Sequence, residues 1–197
     1  MQIMMISLIS LNTHDPKING PLMPFLAVEN CSNLKMSSKK KKKEALEVAK
    51  KIYKIEEEMK IPDTMRGMTL AAACKESGFN PNAKGDRKFS KSKKKPMAIG
   101  VFQLWPFYER AYDVDRKDPE SSARAWLKHI MRQLPGVKKK CKYRTIRKIW
   151  VAAWVTGIRY KKAGGRCKER PLHLKYFLKL KRIYKKESSK PIKIKTF

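Results

Sequence analysis

The apolar residues of this chain recur at the spacing of an amphipathic helix in one segment after another. In the segment 44–60, for example, Ala45, Ala49 and Ile52 follow one another at intervals of one helical turn. Strand-like alternation is scarce, and no internal repeat is evident. The pattern predicts a mainly α fold, with helices at about 44–60, 64–77, 118–134, 146–156 and 171–186.

Capping residues and helix breakers mark where these helices begin and end. The expected caps are Asp63, Asp118 and Thr145, and the expected stops are Pro62, Gly78, Pro135-Gly136 and Gly157. A short helix is also expected from Ala98 to about Pro106. The segment 146–156 is apolar nearly all round, which predicts the central buried helix.

The order of these segments predicts one domain with extensions. Residues 1–43 are expected to form a leader or disordered basic arm that ends in an extended lysine-rich linker, because Ser37-Ser38 precedes the run Lys39–Lys43. Residues 44–187 would form the domain, with a small irregular or β-like excursion at 79–97, and residues 188–197 a basic tail. The first eleven residues have the apolar length of a signal peptide but lack its Lys/Arg start.

The formal net charge of +31 predicts attraction to polyanions, namely nucleic acid, acidic lipid surfaces or an anionic cell-wall polymer. Lys outnumbers Arg about three to one, and Lys lacks the fork geometry that reads bases. We therefore expect no specific nucleic-acid recognition. No apolar run reaches the length of a transmembrane helix, so no membrane span is expected.

The four cysteines have no CxxC spacing, so a zinc site is not expected, nor any other metal or cofactor. They permit disulfides in an oxidising compartment, but the sequence leaves the pairing open. Cys74 lies in an apolar helical run, where we expect it to act as a small buried hydrophobic residue.

Glu76 is the candidate catalytic residue, in the last turn of the helix predicted at 64–77. The negative end of the helix dipole disfavours a carboxylate there, and burial against the apolar helix would add to this effect. Both keep a proton available, as a general acid requires. The alternative is an exposed glutamate that tolerates its position.

Further polar and aromatic residues could complete a sugar site. Ser77 ends the helix beside the carboxylate, Gly100 permits a close backbone approach, and Gln103 offers both a donor and an acceptor. Trp105 and Trp154 offer flat faces on which a pyranose ring could stack, or they belong to the core.

Three motifs, in this order, resemble the soluble lytic transglycosylase family, which has the lysozyme-like fold and is related to goose-type lysozymes. They are Glu76-Ser77-Gly78-Phe79-Asn80-Pro81-Asn82-Ala83, then Gly100-Val101-Phe102-Gln103-Leu104, then Ala153-Trp154-Val155-Thr156-Gly157. The resemblance covers residues 44–160. It implies cleavage of the β-1,4 bond between N-acetylmuramic acid and N-acetylglucosamine in peptidoglycan, with Glu76 as acid and base and an anhydro product.

Two departures from the family pattern affect the chemistry. Trp154 stands where the family commonly has a tyrosine that contacts the catalytic acid, and Val155 replaces an asparagine. Gly85-Asp86-Arg87 is similar to a segment of goose-type lysozymes, in which a second acid positions water. Asp86 is therefore either a possible second acid for hydrolysis or an ordinary turn residue.

Three functions remain open: a lytic transglycosylase, a muramidase assisted by Asp86, and a non-catalytic basic protein that binds glycan or nucleic acid. The expected partners are peptidoglycan strands and anionic wall polymers. The resemblance implies an extracytoplasmic or phage-associated protein, since the substrate lies outside the cytoplasm.

Overall fold

The protein is mainly α-helical, with two short strands inserted after the third helix. A computed structural model describes residues 22–86, 96–141, 144–156 and 171–189. The helices are α1 (Leu22–Glu29), α2 (Lys39–Glu58), α3 (Met68–Ser77), α4 (Phe107–Tyr112), α5 (Pro119–Cys141), α6 (Ile146–Thr156) and α7 (Pro171–Ser188). Strands β1 (Lys84–Gly85) and β2 (Ala98–Ile99) pair antiparallel. The expected fold class and the small β-like excursion are confirmed.

Helix α3 is the centre of the hydrophobic core. Every residue from Met68 to Cys74 is at most 1% exposed. Helices α1, α2 and α7 pack against it, and the small side chains of Ala71, Ala72 and Ala73 let them approach closely. We had expected α6 to be the central helix. Among its described side chains, those of Trp150–Ala153 are buried, while residues 144–148 are exposed.

The expectation of a disordered arm over residues 1–43 is corrected for residues 22–43. Helix α1 buries Met23 and Ala27 in the core, and the Tyr176 hydroxyl of α7 donates a hydrogen bond to the carbonyl oxygen of Ala27 at 2.8 Å. The breaker Pro24 stands in the first turn of this helix, where proline is tolerated. Residues 1–21 lie outside the described part of the chain.

The lysine run is helical rather than an extended linker. Ser38 caps α2 by accepting a hydrogen bond from the backbone N–H of Lys41, and the helix begins at Lys39. Lysine has a good helix propensity, and its charged end stays in water on the exposed side of α2. Burial of Ala45, Ala49 and Ile52 on the opposite face stabilises the helix.

Two segment boundaries near the centre differ from the predictions. Asp63 belongs to a separate 3-10 turn (Asp63–Met65), and Gly67, with a φ of +89°, interrupts the chain before α3 begins. Gly78 ends α3 in a left-handed conformation, as predicted. The short helix expected after Ala98 is wrong, because Ala98 and Ile99 pair with Gly85 and Lys84, and the helix α4 starts only at Phe107.

Helix α5 begins as predicted and ends later than predicted. The Asp118 carboxylate accepts a hydrogen bond from the backbone N–H of Ser121 at 2.6 Å, which caps the helix. The helix continues past Pro135 and Gly136 to Cys141. Burial of Val137, which is 0% exposed, stabilises the helix beyond the proline.

The last two helices have the expected positions. Thr145 accepts a hydrogen bond from the backbone N–H of Lys148 at the start of α6. Gly157, the expected stop of α6, lies outside the described residues, as does the tail beyond residue 189. Among the described helices, none combines the length and the hydropathy needed to cross a bilayer.

Two of the four cysteines join α1 to α3. Cys31 and Cys74 form a disulfide with a Cα–Cα distance of 5.7 Å. Cys74 is buried as expected, but as half of a disulfide rather than as a free hydrophobic side chain, so that expectation is corrected. Cys141 is disulfide-bonded as well, and its partner lies outside the described residues.

Replacing Cys31 and Cys74 together by alanine should lower the free energy of unfolding by about 2–4 kcal/mol, because the cross-link restricts the unfolded chain. Urea unfolding followed by circular dichroism measures the change. The exposed substitution Lys35→Ala is the control and should change stability by less than about 0.5 kcal/mol. An unchanged unfolding midpoint in the double variant would show that the disulfide does not stabilise this fold.

Candidate active site

Ser77 joins the end of α3 to the segment that follows β2. Its hydroxyl donates a hydrogen bond to the carbonyl oxygen of Val101 at 2.8 Å and accepts one from the backbone N–H of Asn80 at 3.2 Å. The first two motifs of the sequence are therefore in direct contact. Because the Ser77 hydroxyl is used within the protein, its role is to position the residues around it.

Gly100 is needed where two backbone segments meet. Its φ is +80°, and a Cβ at this position would lie 1.8 Å from the carbonyl oxygen of Arg116. Its N–H donates to the carbonyl oxygen of Ala83 at 2.9 Å. The predicted close approach is confirmed, and the neighbour is the chain's own backbone. Any side chain here would push Arg116 away.

Gln103 lies at the end of the same turn, also with a positive φ, of +50°. Its side-chain Nε2 donates to the carbonyl oxygen of Gly100 at 2.9 Å. Its Oε1 lies over Gly85, where an added Cβ would come within 2.3 Å of it. The amide donor thus stabilises the turn, and the amide oxygen faces the strand β1.

Trp105 and Asp86 lie together. The indole Nε1 of Trp105 donates a hydrogen bond to Oδ2 of Asp86 at 3.0 Å. Asp86 is exposed and has a φ of +54°, and Trp105 is half-buried. The bond holds the edge of the indole in a fixed orientation.

Trp154 belongs to a row of aromatic rings that crosses the domain. Phe102 stacks on Trp126 with ring centroids 5.1 Å apart, and Trp126 meets Trp154 edge to face at 5.8 Å. Trp154 in turn meets Phe177 of α7 at 6.3 Å. The row connects the second motif to the third. Trp154 is half-buried, so it both packs in the core and reaches the surface.

Glu76 is exposed in the last turn of α3. The expectation that Glu76 is buried against the apolar helix is therefore wrong. Its neighbour Ser77 is half-buried and bonds to the Val101 segment. Val155 falls among the side chains that are not described.

A surface concavity of about 480 Å³ lies elsewhere, between the middle of α2, the turn at Pro81 and Asn82, and the start of α5. Glu47, Lys51 and Asp118 contribute charged groups to its wall. The concavity includes the turn at Pro81 and Asn82 but no other part of the first motif, and none of the predicted site residues lines it. The predicted site residues therefore lie outside this concavity.

Arg116 holds the second motif in place, and the sequence did not reveal this role. It is 8% exposed, and its Nη1 donates to the carbonyl oxygens of Met97 at 3.0 Å and Leu104 at 2.9 Å. Its Nε lies 2.6 Å from Oε1 of Glu109. The guanidinium thus ties together the two ends of the segment that contains Gly100 and Gln103.

Glu56, also missed, is fully buried and binds the start of α3. It accepts hydrogen bonds from the N–H of Gly67 at 2.6 Å, the N–H of Thr69 at 2.8 Å and the hydroxyl of Thr69 at 2.6 Å. Desolvation by burial raises the pKa of Glu56 to about 6, although these hydrogen bonds and Arg66 act to lower it. The sequence does contain a signal for the burial of Glu56. It follows Ile52 by one helical turn and so lies on the apolar face of α2.

No model of a known protein family, no curated protein and no solved structure matches the chain. The likeness to lytic transglycosylases is carried by the three motifs alone. Two of their predicted residues, Ser77 and Gly100, make contacts within the protein that join the motifs. The lysozyme-like assignment stays a prediction, as do the roles of Glu76 and Asp86.

Stability should fall as pH rises from about 4.5 to about 6, because the folded protein holds the Glu56 proton more tightly than the unfolded chain does. The pKa change corresponds to a loss of about 2 kcal/mol across this window. Urea unfolding from pH 4 to pH 7 measures it. Glu56→Gln should remove this part of the pH dependence.

The neighbouring exposed Glu57, which pairs with Arg66 at 3.1 Å, provides the matched control. Glu57→Gln should keep the wild-type pH profile and lower the free energy of unfolding by at most about 1 kcal/mol. Glu56→Gln should lower the free energy of unfolding by more, about 1–3 kcal/mol, at a pH below about 4.5. The glutamine NH2 group is a donor and cannot accept a hydrogen bond from the N–H groups of α3. Parallel profiles for wild type and Glu56→Gln would contradict the assignment.

Proposed function

We propose that the protein is a lytic transglycosylase that cleaves peptidoglycan between N-acetylmuramic acid and N-acetylglucosamine, with Glu76 as its single acid and base. The observation that carries the proposal is the meeting of the three motifs. Ser77, beside Glu76, bonds to Val101, and the adjacent Phe102 reaches Trp154 through Trp126. The first motif thus contacts the second directly, and the second is connected to the third through Trp126.

The reaction begins with the transfer of the Glu76 proton to the glycosidic oxygen as the bond from that oxygen to C1 breaks. A glycan strand laid over the exposed side chain would exclude water from it. The carboxylate then takes the proton of the C6 hydroxyl, whose oxygen bonds to C1 to give the 1,6-anhydro ring. The substrate's N-acetyl group assists, so one carboxylate suffices.

The surrounding residues have separate roles in this proposal. Trp105, held at its edge by Asp86, and the half-buried Trp154 present the faces on which sugar rings stack. Gln103 would contact the sugar through its amide oxygen once that oxygen turns away from Gly85, since its amide nitrogen is bonded to Gly100. Ser77 and Gly100 position the site rather than contact the sugar.

Hydrolysis is the second candidate function, and the bond between Asp86 and Trp105 is the observation that favours it. That bond fixes the Asp86 carboxylate on the same side of the domain as the second motif. An ionised acid in this place would activate water, as inverting glycosidases require. A muramidase would leave reducing ends instead of anhydro ends.

A non-catalytic binder of glycan or nucleic acid is the third candidate, favoured by the exposed position of Glu76 and by the net charge of +31. In all three cases the Cys31–Cys74 disulfide supports an extracytoplasmic location, because such bonds persist in oxidising compartments. Peptidoglycan strands and anionic wall polymers are the proposed partners.

Glu76→Gln should reduce the rate of wall lysis by about 100-fold or more, because the amide can neither donate nor accept the transferred proton. Turbidity of a purified peptidoglycan suspension reports the rate. Glu44→Gln, an exposed glutamate on α2, serves as the matched control and should retain full activity. Wild-type activity in the Glu76→Gln variant would contradict the assignment of Glu76 as the catalytic residue.

Mass spectrometry of the products, formed in ¹⁸O-labelled water, distinguishes lyase from hydrolase. The proposal expects anhydromuramoyl ends without label, and Asp86→Asn should lower activity by less than about tenfold. Labelled reducing ends, together with a loss of about 100-fold or more in Asp86→Asn, would establish the muramidase instead.

A further inference from the structure

The chain contains no Asp or Glu from Ser121 to Lys168. Helix α5 beyond its first turn and the whole of α6 therefore carry positive charge only. The end of α5 and the start of α6 present exposed cations, which are Lys138, Lys139, Lys140, Arg144, Arg147 and Lys148. We refer to these residues, together with Ile146, as the α5–α6 tip.

The cations of the α5–α6 tip lie close together along the chain. Lys140 and Arg144 are four residues apart in sequence, so even an extended chain could separate them by only about 14 Å. The first turn of α2, like that of α6, has no acidic residue. Later in α2, Lys50 pairs with Glu47 at 2.9 Å.

An exposed aliphatic residue lies among these cations. Ile146, the first residue of α6, is 56% exposed and is flanked by Arg147 and by the cap residue Thr145. The first turn of α6 has no acidic residue, so Arg147 and Lys148 face the positive end of the helix dipole. Cations in that place do not stabilise α6, whereas a negatively charged surface would benefit from both.

We infer that the α5–α6 tip binds the surface of an anionic phospholipid bilayer. The lysines and arginines would meet the headgroup phosphates, and the Ile146 side chain would enter the boundary between headgroups and acyl chains. A phosphate polymer or a nucleic acid would use the same cations but has no counterpart for an exposed aliphatic side chain. This inference does not depend on whether Glu76 is catalytic.

Co-sedimentation with vesicles of phosphatidylglycerol and phosphatidylcholine tests the inference. The full chain should bind vesicles rich in phosphatidylglycerol and leave vesicles of pure phosphatidylcholine unbound. Lys138→Gln/Lys139→Gln/Lys148→Gln should lower the partition coefficient about 100-fold at low salt, since each cation near an anionic surface contributes about fivefold. Ile146→Ser should lower it about fivefold.

Two matched controls separate a specific surface from general charge. Lys39→Gln/Lys40→Gln/Lys41→Gln removes the same charge from the exposed start of α2, and Met36→Ser removes an apolar side chain that is 99% exposed. Both should change the partition coefficient less than threefold. An equal loss in the α2 triple variant, or an Ile146→Ser variant that binds like wild type, would overturn the inference. Double-stranded DNA serves as a polyanion probe, and its binding should not respond to Ile146→Ser.

Discussion

The hydrogen bonds between the buried Glu56 carboxylate and the first residues of α3 determine where the central helix begins. Because α3 has ten residues, its length of about 15 Å then determines where Glu76 and Ser77 emerge at the other end. A buried carboxylate is costly, but here three donors compensate for the lost water. The same residues that anchor the core thus set the position of the candidate site, although they lie at the opposite end of the helix.

The helix-forming segments could be predicted from sequence wherever local signals decided the outcome. Gly78, Asp118-Pro119 and Thr145 act within a few residues of themselves, and each marks the boundary it predicted. The errors arose where distant residues decided. Glu56 supplies the cap of α3 from another helix, burial of Val137 extends α5 past a proline, and pairing with Lys84–Gly85 makes Ala98–Ile99 a strand.

In the candidate site, too, some features could be predicted from local sequence and others depend on distant residues. The motifs predicted segments that do come into contact, since Ser77 bonds to Val101 and Phe102 is connected to Trp154 through Trp126. They did not reveal how the segments are held, since that depends on Arg116, whose guanidinium bonds to the carbonyl oxygens of Met97 and Leu104. Gly100 was recognised as a point of close approach, but only the structure identifies Arg116 as the residue it approaches. Exposure of Glu76 depends on packing that periodicity does not encode.

The Cys31–Cys74 disulfide makes a closed covalent ring that contains the whole of α2. A protease that cuts one peptide bond within this ring leaves the two fragments attached to each other, so α1 is not released from α3. The cut ends stay at a high effective concentration, and the nicked molecule can keep its packing. The first helices of the domain are in this sense protected against a single cleavage between Cys31 and Cys74, and the segment that bears Glu76 stays attached to α1 after such a cut.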